Sequence, residues 1–140
     1  MIFSGDRDVL RRMYKKAWAK KQARQPLTAL EEQIARVVEQ HPEYHDAVES
    51  GDLTEDYRPE GGVSNPFLHM GLHLGLRDQV ATDRPAGVRA LFERLASSLG
   101  DAHAAEHAMI ECLAEMLWEA QKNNRPPDEK VYLERLRRLC

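Results

Sequence analysis

The stretch DAHAAEHAMIECLAEMLWEAQKN, residues 101–123, predicts the longest helix of the chain. Asp101 is suited to accept hydrogen bonds from the first free N–H groups of that helix, which we expect to run to about Asn123. Apolar side chains recur along it at the spacing of one helix face, namely at Ile110, Ala114 and Leu117. A long helix with an apolar face has to pack against other helices, so the stretch favours an α-helical bundle.

Signals of the same kind lie on both sides of this helix. Oxygen-bearing side chains suited to begin a helix stand at Thr28, Asn65 and Asp128. Pro42 and Gly100 are suited to end one. No segment alternates apolar and polar residues as a half-buried strand does. We therefore predict an all-α, single-domain helical bundle of about five to seven helices, with residues 51–64 as its longest irregular stretch.

The predicted domain covers residues 1–140, with a basic N-terminal helix over 1–25 and a histidine-rich helical body over 26–140. Residues 1–25 hold eight Lys and Arg but only two acidic residues, whereas the remainder holds 12 basic and 21 acidic residues. We expect an apolar stripe of Val9, Met13 and Trp18 to pack on the body and leave the charges in water. A basic helix can bind nucleic acid, but no nucleic-acid-binding motif accompanies this one, so nucleic acid is not an expected partner.

The composition is typical of a soluble globular protein, with 42% hydrophobic and 31% charged residues. No apolar run approaches the roughly 18 residues that a membrane span requires, and the N-terminus lacks the pattern of a signal peptide. Cys112 and Cys140 form neither a CxxC motif nor a disulfide framework. We therefore expect a cytoplasmic protein with no membrane partner. A protein partner or a homo-oligomer is left open.

All six histidines occur in three pairs with four-residue spacing, in HPEYH (41–45), HMGLH (69–73) and HAAEH (103–107). Residues four apart on a helix project side by side. His69 and His73 point the same way as Leu76, and His103 and His107 the same way as Ile110, so both pairs are expected to face the core. Burying imidazoles among apolar side chains is costly unless each finds a partner, and a metal ion supplies such partners.

Two of the pairs have a carboxylate one helical turn further on, Glu49 after His45 and Glu111 after His107. Imidazole together with carboxylate suits iron, manganese and zinc, so a divalent ion of this group is the expected cofactor. Six nitrogens and two carboxylates exceed what one four-coordinate site needs, which favours two ions in the core. The predicted metal ligands are His41, His45, Glu49, His69, His73, His103, His107 and Glu111.

Two classes of function remain open at this point. In the first, the metal centre is active in redox or hydrolytic chemistry, with Glu106 or Glu111 as the candidate general base. In the second, the histidines are core residues, or hold a structural ion, in a non-catalytic module that binds a partner. HAAEH also matches the His-x-x-Glu-His pattern of one metalloprotease class. That pattern takes a third ligand from far downstream, however, and the chain ends 33 residues after His107.

Five segments of the chain resemble a bacterial family, the domain of unknown function 1841 family: HPEYH, NPFLHMGLHL, ATDRPAGVRALFERLASSLGDAHAAEH, ECLAEMLWEAQ and YLERLRRL. The resemblance covers nearly everything from Leu27 to Leu139. It implies a small bacterial protein that carries these histidine segments, and it implies no particular reaction. The functional interpretation therefore rests on the residues themselves.

Overall fold

The computed structural model describes residues 4–50 and 66–140, and within these ranges the regular structure is entirely helical. A short 3-10 helix, Pro42–Tyr44, accompanies the α-helices. The α-helices of the described residues are α1 (Ser4–Gln22), α2 (Ala29–Glu39), α3 (His45–Ser50), α4 (Pro66–Thr82), α5 (Val88–Leu99), α6 (Ala102–Lys122) and α7 (Glu129–Leu139). The prediction of an all-α protein with five to seven helices is confirmed. The predicted irregular stretch 51–64 and the predicted helix cap Asn65 lie outside the described residues.

Local signals account for several of the helix ends. The Thr28 hydroxyl accepts a hydrogen bond from the Glu31 N–H at 3.1 Å, and the Glu31 carboxylate accepts one from the Thr28 N–H at 3.0 Å. This reciprocal pair satisfies two N–H groups that have no partner inside the helix. Asp101 and Asp128 accept backbone N–H groups at the starts of α6 and α7. Gly100 ends α5 at φ +70°, a left-handed conformation that glycine adopts without steric cost.

The chain divides into two compact units, Met1–Gly71 and Leu72–Cys140, and the division falls within α4. In the first unit α1 packs against α2 and α3. The prediction of one domain over residues 1–140, with a basic helix over 1–25 and a helical body over 26–140, stays a prediction. The buried apolar side chains of the first unit are Tyr14, Ala17, Trp18, Ile34, Ala35, Val37, Val38, Val48 and Met70.

The buried face of α1 differs from the predicted stripe. Trp18 is buried as expected, but Val9 is 53% exposed, so the prediction was wrong at Val9. The expectation that all charges of this helix lie in water was also wrong, because Arg11 is only 3% exposed. Its guanidinium lies 4.9 Å from the centre of the Phe67 ring, where the aromatic face attracts the cation. Arg11 also stands one turn before Tyr14, on the face that Tyr14 and Trp18 bury.

In the second unit α6 packs against α5 and α7. None of the described helices, α6 included, is both long and apolar enough to cross a membrane. The predicted apolar face of α6 was wrong at Leu117, which is 44% exposed, whereas Met109 and Met116 are buried. The core of this unit comprises Leu76, Val88, Leu91, Leu95, Ala105, Met109, Ile110, Cys112, Leu113, Met116, Tyr132 and Leu136.

We expect Thr28→Ala to lower the free energy of unfolding by about 1 kcal/mol, because it removes the oxygen that caps α2. Thr28→Ser keeps that oxygen and should retain most of the stability. Urea denaturation followed by circular dichroism measures both variants. Equal losses for the alanine and serine variants would show that the hydroxyl does not stabilise α2.

Candidate metal centre

Three histidines of the second unit come together, one from α4 and two from α6. The ring centres of His73 and His103 lie 5.2 Å apart with nearly parallel planes. His107 lies 4.8 Å from His73 and 4.4 Å from His103, again between ring centres. We refer to His73, His103 and His107 as the imidazole cluster. The four-residue spacing on α6 accounts for the contact between His103 and His107. His73 joins them from α4.

The imidazole cluster runs from a fully buried ring to an exposed one. His73 is fully buried, His103 is half-buried and His107 is exposed. The expectation that both α6 histidines face the core was therefore wrong for His107. The buried face of α6 is centred on Ala105, Met109 and Met116, and His107 lies outside it.

Potential ligand atoms of the second unit lie close enough to share an ion. One atom each from His73, His103 and Glu106 lie within 4.8 Å of one another, and ring nitrogens of His73 and His107 lie within the same distance. Bonds of about 2.0–2.2 Å to a central ion separate two ligand atoms by at most about 4.4 Å. Side-chain movements of a few tenths of an ångström therefore suffice for coordination by His73, His103 and Glu106. Among the described residues the three imidazoles do not form such a group, so coordination by all three requires a larger side-chain movement.

Glu106 is the carboxylate that contacts the imidazole cluster. Its Oε1 lies 2.8 Å from His73 Nδ1 and accepts a second hydrogen bond from Arg77 Nη2 at 3.1 Å. Its Oε2 accepts one from Arg77 Nε at 3.0 Å. Burial is the largest single influence on the pKa of Glu106 and raises it. The hydrogen bonds and positive charges of His73 and Arg77 together outweigh this effect, so the pKa of Glu106 is lowered. Glu106 is therefore ionised at neutral pH although it is only 8% exposed.

Two further predicted ligands, His41 and His69, meet in the first unit. Their ring centres lie 5.2 Å apart, and a nitrogen of one lies within 4.8 Å of a nitrogen of the other. His41 is fully buried, and its Nδ1 donates to the Val37 carbonyl at 2.8 Å. The Tyr44 ring stacks on His41 at 5.6 Å and lies 5.8 Å from His69. The first unit thus holds an imidazole pair beside a tyrosine.

The other two predicted ligands of the first unit have different partners. His45 Nε2 donates to the Val38 carbonyl at 2.9 Å, and its ring lies 4.6 Å from that of Trp18. Glu49 accepts hydrogen bonds from Trp18 Nε1 at 2.8 Å and from Gln22 at 3.1 Å, and these bonds lower its pKa. Among the described residues, neither His45 nor Glu49 belongs to a cluster of three potential ligand groups.

The carboxylate expected to accompany the α6 histidines was Glu111, which is exposed and joins no such cluster in the described part of the chain. The carboxylate that contacts the imidazole cluster is instead that of Glu106, which the sequence suggested only as a general base. Sequence reasoning also missed Arg77. Its signal is a guanidinium one turn after His73 on an otherwise apolar helix, which calls for a carboxylate partner.

The chain belongs to the family described as Domain of unknown function (DUF1841), whose model matches residues 6–138. The resemblance noted from the histidine segments is thereby confirmed. Comparison with curated proteins and with solved structures gives no match.

We expect Glu106→Ala to lower the free energy of unfolding of the metal-free protein by about 1–3 kcal/mol, because Arg77 and His73 lose their common acceptor. Glu111→Ala removes an exposed carboxylate from the same helix and should change stability by no more than about 0.5 kcal/mol. Urea denaturation in the presence of a chelator measures both. Equal effects of the two substitutions would show that the buried hydrogen bonds contribute nothing to stability.

Proposed function

We propose that this chain binds a divalent metal ion through the imidazole cluster of its second unit. The observation that carries the proposal is the contact among three imidazoles from two helices, with ring centres 4.4–5.2 Å apart. Protonated imidazoles repel one another at such distances, which favours the neutral rings. Each neutral ring has a nitrogen lone pair that it can direct at a shared cation.

The graded exposure of the imidazole cluster favours an ion that solvent can reach. A structural ion is enclosed by its ligands, whereas an ion that does chemistry keeps a position open for water or substrate. His73 anchors the site in the core, and the exposed His107 lies at the surface. We therefore propose an accessible ion that acts on water or on a small molecule as a Lewis acid.

Among the three expected metals, this ligand set favours zinc or iron over manganese. Imidazole nitrogen suits zinc and iron, whereas manganese prefers carboxylate and other oxygen ligands. The one buried carboxylate at the cluster, Glu106, is already held by Arg77 through both of its oxygens. We propose zinc as the ion to test first.

The role of general base fits Glu106 poorly. A base has to accept a proton at the working pH, but the hydrogen bonds from His73 and Arg77 lower the pKa of Glu106. Glu111 is exposed and follows His107 by one helical turn, so a hydrolytic activity would draw on Glu111 as the base.

A second interpretation rests on a specific observation, which is that buried histidines already have hydrogen-bond partners. His41 donates to the Val37 carbonyl, and His73 is bonded to Glu106. A histidine satisfied in this way is stable in a core without metal. Under this interpretation the chain is a non-catalytic interaction module, and metal ions leave its stability unchanged.

Metal titration of untagged, chelator-treated protein distinguishes the two interpretations. An ion present at a thousand times its dissociation constant that binds only the folded form adds about 4 kcal/mol. For a domain of this size the midpoint of thermal unfolding rises by roughly 10 °C. We expect zinc to produce a shift of that order in the wild type.

The matched variants are His107→Ala, which removes one imidazole from the cluster, and His45→Ala, which removes one outside it. His107→Ala should abolish most of the zinc-dependent shift, and His45→Ala should retain it relative to its own metal-free midpoint. Zinc, iron(II) under anaerobic conditions and manganese(II) are each tested. A wild-type midpoint that none of them raises would leave the interaction module as the function.

A further inference from the structure

The hydrogen bonds of Glu106 determine which nitrogen of His73 carries a proton. A carboxylate that receives two N–H groups from one guanidinium, at 3.0 and 3.1 Å, is in its ionised form and has no proton to give. His73 Nδ1, 2.8 Å from Glu106 Oε1, must therefore be the donor of that bond. In the neutral imidazole the lone pair then lies on Nε2, which is the atom able to coordinate an ion.

We propose that Glu106 is a positioning residue of the metal centre and not one of its ligands. Together with Arg77 it holds His73 in the tautomer whose Nε2 coordinates the ion. The inference deepens the proposed function and rests on it. Metal-binding histidines generally donate their other ring N–H to a carboxylate or carbonyl, which fixes the ring and raises the basicity of the coordinating nitrogen.

The positions of the three residues suit this role. Arg77 follows His73 by one turn of α4, and Glu106 stands between His103 and His107 on α6. One carboxylate therefore connects the two helices at the level of the imidazole cluster. His73 and Glu106 are both buried, so water does not compete for their hydrogen bond.

Arg77 also disfavours direct coordination by Glu106. To bind an ion, the carboxylate would have to weaken its bonds to a guanidinium that is itself largely buried, at 25% side-chain exposure. The positive charge of Arg77 further reduces the electron density that the carboxylate offers. The ion is left with imidazole nitrogens from this cluster, a set that selects zinc against manganese.

The substitution Glu106→Gln tests the role, because it keeps the shape of the side chain and removes its charge. The neutral amide offers one acceptor oxygen to the two Arg77 donors and His73 Nδ1, and its NH2 group has to face at least one of them. The Nδ1–H of His73 thereby loses its charged acceptor, so a larger share of His73 carries its proton on Nε2, where it blocks coordination. We expect zinc affinity to fall about 10- to 100-fold. Glu115→Gln, the same change at an exposed position of α6 outside the site, should leave the affinity unchanged.

The tautomer is read directly in the metal-free, ¹⁵N-labelled full chain by long-range ¹H–¹⁵N correlation of the histidine rings. We expect the wild type to show His73 protonated on Nδ1, and Glu106→Gln to show a larger share of His73 protonated on Nε2. Zinc affinity is measured in parallel by competition with a chromophoric chelator. A wild type with the Nδ1–H tautomer that binds none of zinc, iron(II) and manganese(II) overturns the proposed function. A wild type that binds zinc but has the Nε2–H tautomer overturns only this inference.

Two further outcomes also decide the matter. An unchanged zinc affinity in Glu106→Gln, or an unchanged tautomer of His73, overturns the inference. Should Glu106→Gln fail to fold, Arg77→Gln replaces it, because this variant keeps the bond between Glu106 and His73 but releases the carboxylate from the guanidinium. Its ratio of zinc to manganese affinity should fall about tenfold, and an unchanged ratio overturns the proposal.

Discussion

The second unit depends on a charge that has to be paired. Glu106 is ionised and almost fully buried, and an unpaired carboxylate in such a place would be far too costly to keep. Arg77 supplies the opposite charge and His73 supplies a further donor, both from α4. Pairing the carboxylate with these two donors favours one register of α4, beyond Gly71, against the start of α6. The imidazole cluster forms where that register brings His73 beside the α6 histidines.

The number and ends of the helices could be predicted because their causes are local. The Thr28 cap acts on residues three positions away, and Gly100 ends α5 by its own backbone conformation. The buried face of α6 has no such local cause. Apolar residues occur on several sides of this helix, and its packing against α5 and α7 buries Met116 and leaves Leu117 exposed. Residue spacing alone therefore does not show whether Met116 or its neighbour Leu117 lies on the buried face of α6.

The candidate site could likewise be predicted only where its contacts lie within one helix. Four-residue spacing correctly brought His103 and His107 together, since that contact lies within one helix. Spacing pointed to Glu111 as the carboxylate beside these histidines, whereas the carboxylate that contacts the imidazole cluster is Glu106, because that contact depends on where α4 places His73 and Arg77. Glu49 illustrates the same limit in the first unit. Its position after His45 suits a ligand pair, but the buried Trp18 of α1 needs an acceptor for its ring N–H and takes the carboxylate.

A hydrogen-bonded histidine is not in itself evidence against a metal. The bond that satisfies His73 Nδ1 in a metal-free core is the same bond that would orient Nε2 toward an ion, so the buried end of the imidazole cluster is compatible with either function. The two functions differ at the exposed end. Near solvent, water satisfies an imidazole singly, and the four-residue spacing on α6 accounts for the 4.4 Å between His103 and His107. Helix spacing does not account for the third ring, which comes from α4. A common ligand would hold all three rings together, so the contact of His73 with both α6 histidines carries most of the functional argument.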